Sequence, residues 1–170
     1  MKEQTICFTG HRNVREDERE IKEKIKAMIE YYILRGCIYF AAGGARGFDT
    51  LAAEAVLEIR DKYPQVELIL ILPFKKPYAV EKGWTEKDIE RYESLLKQAS
   101  ETIYVGETYK RGCYFKRNRL LVRMSSICFS YQIKSTGGTA YTVRYADEVE
   151  NIPVINVAEA MGRKKRKSGI

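Results

Sequence analysis

Apolar positions along the chain follow two alternating spacings. Short runs rich in apolar residues lie at 4–8, 38–42, 66–72, 102–105, 127–131 and 154–157, and they read as strands. The run at 66–72 is nearly continuous, which suits a sheet covered on both faces. Between the runs, apolar residues recur at helical spacing. Ile21, Ile25, Met28, Ile29, Tyr32 and Ile33 make one stripe, Ile89, Tyr92, Leu95, Leu96 and Ala99 another, and Ala140, Val143, Ala146 and Val149 a third. An Ala-rich helix follows residue 48, and a further helix is expected over 116–125. The ends carry matching signals. Asp17 with Glu20 resembles a capping box, Gly36 is a C-terminal cap, Tyr63-Pro64 stops the second helix, and Thr85 with Asp88 opens the third. Strand and helix alternate along the chain. This predicts an α/β, three-layer fold with a mostly parallel central sheet and right-handed crossovers. No repeat or linker divides it, so residues 1–158 form one domain. Residues 159–170 are expected to be a basic, disordered tail.

In such a sheet, ligands sit beyond the carboxyl ends of the strands. Four polar loops fall there: Thr9-Gly10-His11-Arg12, Gly43-Gly44-Ala45-Arg46-Gly47, the loop opened by Pro73-Phe74, and Ser135-Thr136-Gly137-Gly138-Thr139. All four converge on one rim. The second and fourth are glycine turns feeding helices, where free backbone N–H groups suit an anion. Arg12, Arg46 and Arg117 are candidates for holding phosphate. Asp49 is placed to cap its helix, and Thr136 and Thr139 either bond phosphate oxygens or cap theirs. His11, the only histidine, reads more readily as a hydrogen-bonded turn residue than as a catalyst. Phe74, Tyr78 and Trp84 either stack on a base or form the loop's own small core, and the second is favoured. Tyr109, Tyr114 and Phe115 interleave with Lys110, Arg111 and Lys116, a pattern suited to a single strand of nucleic acid.

Composition narrows the reading. A chain of 170 residues, 45% hydrophobic and 31% charged, is an ordinary globular domain. The formal charge is +7, but Arg163, Lys164, Lys165, Arg166 and Lys167 supply five of those charges, leaving +2 for the remainder. That body is too weakly basic to favour duplex DNA. Cys7, Cys37, Cys113 and Cys128 are scattered without a CxxC pair. Beside a single histidine they argue against a metal site and for a reducing compartment, the cytoplasm. No stretch has the length of a membrane span and no signal peptide is evident. No cofactor is implied.

The run Gly43-Gly44-Ala45-Arg46-Gly47-Phe48-Asp49-Thr50-Leu51-Ala52-Ala53-Glu54 resembles the SLOG superfamily, which includes Smf/DprA DNA-processing proteins and LOG phosphoribohydrolases. Lys116-Arg117-Asn118-Arg119 is similar to that family's Arg-Asn helix start, and Ser135 to Ala140 to its second glycine motif. The resemblance spans residues 4–157 and is nearest to small, stand-alone YpsA-like proteins. It implies a Rossmann-like fold and a nucleotide or nucleotide-derived ligand. It carries Gly43, Gly44, Gly47, Arg117, Asn118, Gly137 and Gly138 into the candidate site. It also implies association into a homodimer through helices beside the site. One position departs. Where the phosphoribohydrolases keep a glutamate in GGxGTxxE, this chain has Thr142. Without that carboxylate no proton donor is evident for cleaving an N-glycosidic bond, although Asp49 or Glu54 could substitute.

Three functions follow. The first is binding a nucleotide-derived ligand in order to sense or sequester it. The second is LOG-type hydrolysis of a nucleoside monophosphate. The third is single-stranded DNA binding of the DprA type. The near-neutral body and the glycine turns favour the first.

Overall fold

The computed structural model describes the backbone of residues 1–168 and side chains through residue 162. Six strands, β1 (Thr5–Gly10), β2 (Tyr39–Ala42), β3 (Glu67–Leu72), β4 (Glu101–Tyr104), β5 (Ile127–Tyr131) and β6 (Val154–Asn156), form one sheet in the order β4-β3-β2-β1-β5-β6. Every neighbouring pair is parallel. The strand order reverses between β1 and β5, and this is where an open parallel sheet leaves a crevice for a ligand.

Helices cover both faces. On one lie α1 (Glu18–Ile33), α2 (Phe48–Arg60), α3 (Glu86–Gln98) and α6 (Val157–Ser168). The other carries α4 (Cys113–Arg123) and α5 (Gly138–Arg144). Strand residues divide by alternation: Ile6, Phe8, Phe40, Leu68, Leu70 and Phe129 pack under the first set, and Cys7, Ala41, Ile69, Ile71 and Cys128 under the second. The stripe of α1 is buried at Ile21, Ile25, Ile29 and Ile33. Asp17 accepts hydrogen bonds from the N–H groups of Arg19 and Glu20, and Thr85 with Asp88 forms the full reciprocal box of α3. All four cysteines are buried free thiols.

Three local expectations differ. The segment from residue 159 is not a tail as far as Ser168 but part of α6. Val157 and Met161, one helical turn apart, bury themselves against the core and anchor it. The side chains of Arg163 to Lys167, and residues 169 and 170, lie outside the described part. α4 begins at Cys113 rather than 116, because Gly112 enters the left-handed region (φ 83°) and lets the chain turn in earlier. Val149, expected on the buried face, is 59% exposed. After α5 the helix continues as a π turn over Tyr145–Val149, and the wider turn rotates later residues out of the 3.6-residue phase.

Candidate functional site

The site is assembled by contacts between loops. His11 lies just past β1, and its Nε2 accepts hydrogen bonds from the N–H groups of Ile133 (2.8 Å) and Lys134 (3.2 Å). The imidazole is therefore neutral, with its proton on Nδ1. Burial, followed by Lys134 and Arg15, lowers its pKa and keeps it so. His11 clamps the turn after β1 to the segment leaving β5, which brings Thr9–Arg12 beside Thr136–Thr139.

Between these turns opens a cavity of about 300 Å³. It is lined by Thr9, Gly10, His11 and Arg12, by Ala45 and Asp49, by Tyr114, Arg117 and Asn118, and by Thr136, Gly137, Gly138 and Thr139. Its position is the crevice at the β1–β5 reversal. Gly137 (φ 96°) is the N-cap of α5 and supplies no side-chain cap. The N–H groups of Gly138, Thr139 and Ala140 in the first turn thus have no intrahelical acceptor.

Arg117 and Asp49 form the charged centre. Arg117 is buried; its Nη1 donates to the Gly43 carbonyl, and its Nε donates to Asn118 Oδ1 at 2.7 Å. Burial lowers its pKa, and the nearby carboxylates of Asp49 and Glu81 oppose that. Asp49 is also buried, and its Oδ2 accepts from the Ala45 N–H at 3.2 Å. Burial pushes its carboxyl from 3.8 up to about 6, although Arg117 pulls the other way. The N-cap of α2 is Gly47, without a side-chain bond. Asp49 therefore braces the glycine turn rather than capping the helix end.

Several expected residues lie elsewhere. Arg46 does not line the cavity. Its guanidinium turns under the β3–α3 loop, donating to the carbonyls of Gly83 (2.7 Å) and Lys82 (3.3 Å), 5.7 Å from the Trp84 ring. Phe74 is buried edge-on to Tyr109 and Tyr114, and Trp84 packs edge-on to Tyr78 and Tyr92. Both belong to the loop's own core, and neither offers a stacking face to the cavity. Gly47 (φ 77°) has the Arg12 backbone where a Cβ would stand, and Gly44 (φ 73°) has Leu72 there. These glycines let the turn press against protein rather than against a ligand. Gly43 and Gly44 line only a narrow extension of the site.

Tyr114, expected in an aromatic loop suited to nucleic acid, lines the cavity instead. Tyr114 stands three residues before Arg117 on α4, and that i, i+3 spacing puts both on one helix face. Its ring centroid lies 5.9 Å from the guanidinium of Arg117. No carboxylate occupies the position of the hydrolase glutamate, and the carboxylate that lines the cavity is Asp49. Thr142 is buried and donates its hydroxyl to the Gly138 carbonyl at 2.9 Å. Glu54 is held by Arg91 (2.5 Å) in a separate groove between α2 and α3. Among the described residues, no three His, Cys, Asp or Glu side chains cluster to hold a metal, and no helix is long and apolar enough to cross a membrane.

Residues 6–158 match the model of the YspA SLOG family. The chain belongs to that family. UPF0398 protein YpsA of Bacillus subtilis is 28% identical over 75% of this chain and 71% of its own length. A UPF0398 protein of Bacillus pumilus is 27% identical over 81% and 72%. Two solved structures share the fold. DNA processing protein A of Streptococcus pneumoniae gives a TM-score of 0.62 at 16% identity, over 90% of this chain and 50% of that one. DNA processing protein A of Helicobacter pylori, described as binding single-stranded DNA, gives 0.63 at 16%, over 96% and 74%. The chain thus spans half the length of the Streptococcus protein.

Proposed function

We propose that this protein binds a phosphate-bearing nucleotide or nucleotide-derived molecule in the rim cavity and holds it without cleaving it. The observation that carries this reading is the cavity itself. One hollow at the β1–β5 reversal joins three of the four rim loops to Arg12 and Arg117, and at about 300 Å³ it falls at the small-ligand end of binding sites. Arginine and uncapped N–H groups favour phosphate. The neighbouring rings of Tyr114 and His11 suit a sugar or base.

The carboxylates support retention rather than turnover. Thr142 is bonded to its own helix, Glu54 is paired in another groove, and Asp49, which does line the cavity, uses Oδ2 to brace the Ala45 N–H. Incubation with nucleoside monophosphates is expected to release no free base.

A second reading, single-stranded DNA binding, is favoured by exposed Tyr109 and Phe115 among Lys110, Arg111 and Lys116 beside the same rim. The partly exposed edge formed by Phe115, Tyr141 and Tyr145 is where we place a homodimer contact. Four free thiols fit the cytoplasm.

Mass spectrometry of small molecules released from the purified protein tests the main reading. A phosphorylated nucleoside compound is expected. Recovery of oligonucleotides alone would replace it with the second reading.

A further inference from the structure

Beside the open cavity, and sharing Arg12, Ala45, Tyr114 and Arg117 with it, a hollow of only about 10 Å³ runs beneath the loop between β3 and α3. Glu81 closes it. The Glu81 carboxylate lies 3.2 Å from Arg12 Nη2, and its side chain is 14% exposed although Val80, Lys82 and Gly83 around it are exposed. The same carboxylate acts on the Tyr114 hydroxyl, whose pKa is raised by burial and then by Glu81, and it helps keep Arg117 charged. One internal carboxylate thus pairs with Arg12 and lies within the electrostatic reach of Arg117 and Tyr114, which is the company a bound phosphate would keep.

An independent observation comes from the wall of the hollow. Tyr92 is 3% exposed, and its hydroxyl has no hydrogen-bond partner. Buried hydroxyls are seldom left so unless something else completes them. Glu81 stands on a short segment between two backbone turns. Lys76 (φ 52°) and Gly83 (φ 93°) bracket it in the left-handed region, and Arg46 holds the far bracket by the Lys82 and Gly83 carbonyls.

We propose that this hollow is a second anion subsite, occupied by Glu81 in the unliganded protein and opened when an anionic group of the ligand displaces that carboxylate. The incoming group takes Arg12, the Tyr114 hydroxyl, the flank of Arg117 and the Tyr92 hydroxyl. A first anionic group stays in the open cavity by Gly137–Thr139. The proposal rests on the phosphate-binding reading above. It narrows the ligand class to molecules carrying two linked anionic groups, such as nucleoside diphosphates or compounds with a P–O–P linkage.

Calorimetric titration with AMP and ADP on wild type, Glu81→Gln and Tyr92→Phe tests it, with the fluorescence of Trp84 as a second readout. Trp84 is the only tryptophan, and its ring centroid lies 5.6 Å from that of Tyr92. ADP is expected to bind more tightly than AMP, and only ADP should shift the Trp84 signal. Glu81→Gln should raise ADP affinity about tenfold and AMP affinity much less, because the internal competitor loses its charge. Tyr92→Phe should weaken ADP binding about threefold to tenfold at an unchanged melting temperature, since the hydroxyl bonds nothing in the unliganded fold. Equal AMP and ADP binding in all three proteins, with Trp84 silent, overturns the subsite and leaves the phosphate-binding reading standing. Absence of binding to any of the three overturns both.

Discussion

The buried carboxyl of Asp49 predicts an unusual pH dependence of stability. Its pKa in the folded chain rises from 3.8 to about 6, chiefly by burial. Between those values the folded protein holds a proton that the unfolded chain has already released. Stability therefore falls as pH rises through this window and stays reduced above it. The change amounts to about 2.2 pH units at about 1.36 kcal/mol each, or ~3 kcal/mol in all. Asp49 is 5% exposed, so solvent screening removes little of this. Asp49→Asn keeps an oxygen to accept from the Ala45 N–H and has no proton to lose. The variant should match wild type near pH 4 and exceed it by ~3 kcal/mol near pH 7. Urea denaturation of both proteins at intervals from pH 4 to 7.5 measures the difference directly. A difference that stays constant with pH, or one that shrinks as pH rises, would refute the reasoning. The site is thus maintained at the expense of stability, as occurs where a polar group is kept dry for a ligand.

Two further substitutions separate the glycine turn from the cavity. Arg46→Ala removes two charge-assisted bonds to the β3–α3 loop, so amide exchange should quicken over residues 77–84 while AMP affinity changes less than about twofold. Gly47→Ala places a methyl group against the Arg12 backbone at φ 77°. It should lower stability by more than about 2 kcal/mol in urea unfolding, whereas Gly137→Ala, whose Cβ meets nothing within 4 Å, should cost only its backbone strain at φ 96°, ψ −171°, about 1–3 kcal/mol.

The sheet was legible because its signals are local. The run from Val66 to Leu72 suits a strand covered on both sides, and the caps at Asp17 and Thr85 mark their helices by side-chain chemistry alone. Convergence of the loops after β1, β2 and β5 follows from parallel topology, and the cavity lies where that topology puts it. What the sequence could not convey is direction. A strand–turn–helix pattern does not say to which side Arg46 swings, and the deciding contacts are carbonyls at Lys82 and Gly83, some 36 residues away. Glu81 gave no signal, since a lone glutamate in a polar loop looks solvated until Arg12 is found against it. α6 was masked by composition. Its basic run dominates the segment and hides the few apolar residues, Val157 and Met161 among them, that dock it. The π turn after α5 displaced Val149 by a change of period that propensity does not encode.

The central claim is that phosphate binds at the β1–β5 crevice through Arg117. Its most direct test is calorimetric titration of AMP into wild type and Arg117→Lys. The lysine variant keeps the positive charge but cannot reproduce the bonds to Gly43 and Asn118 while presenting a guanidinium face to the cavity. Wild type should bind AMP one-to-one, and the variant should bind it about tenfold to a hundredfold more weakly. Equal affinity in the two proteins, with both still folded, would contradict it.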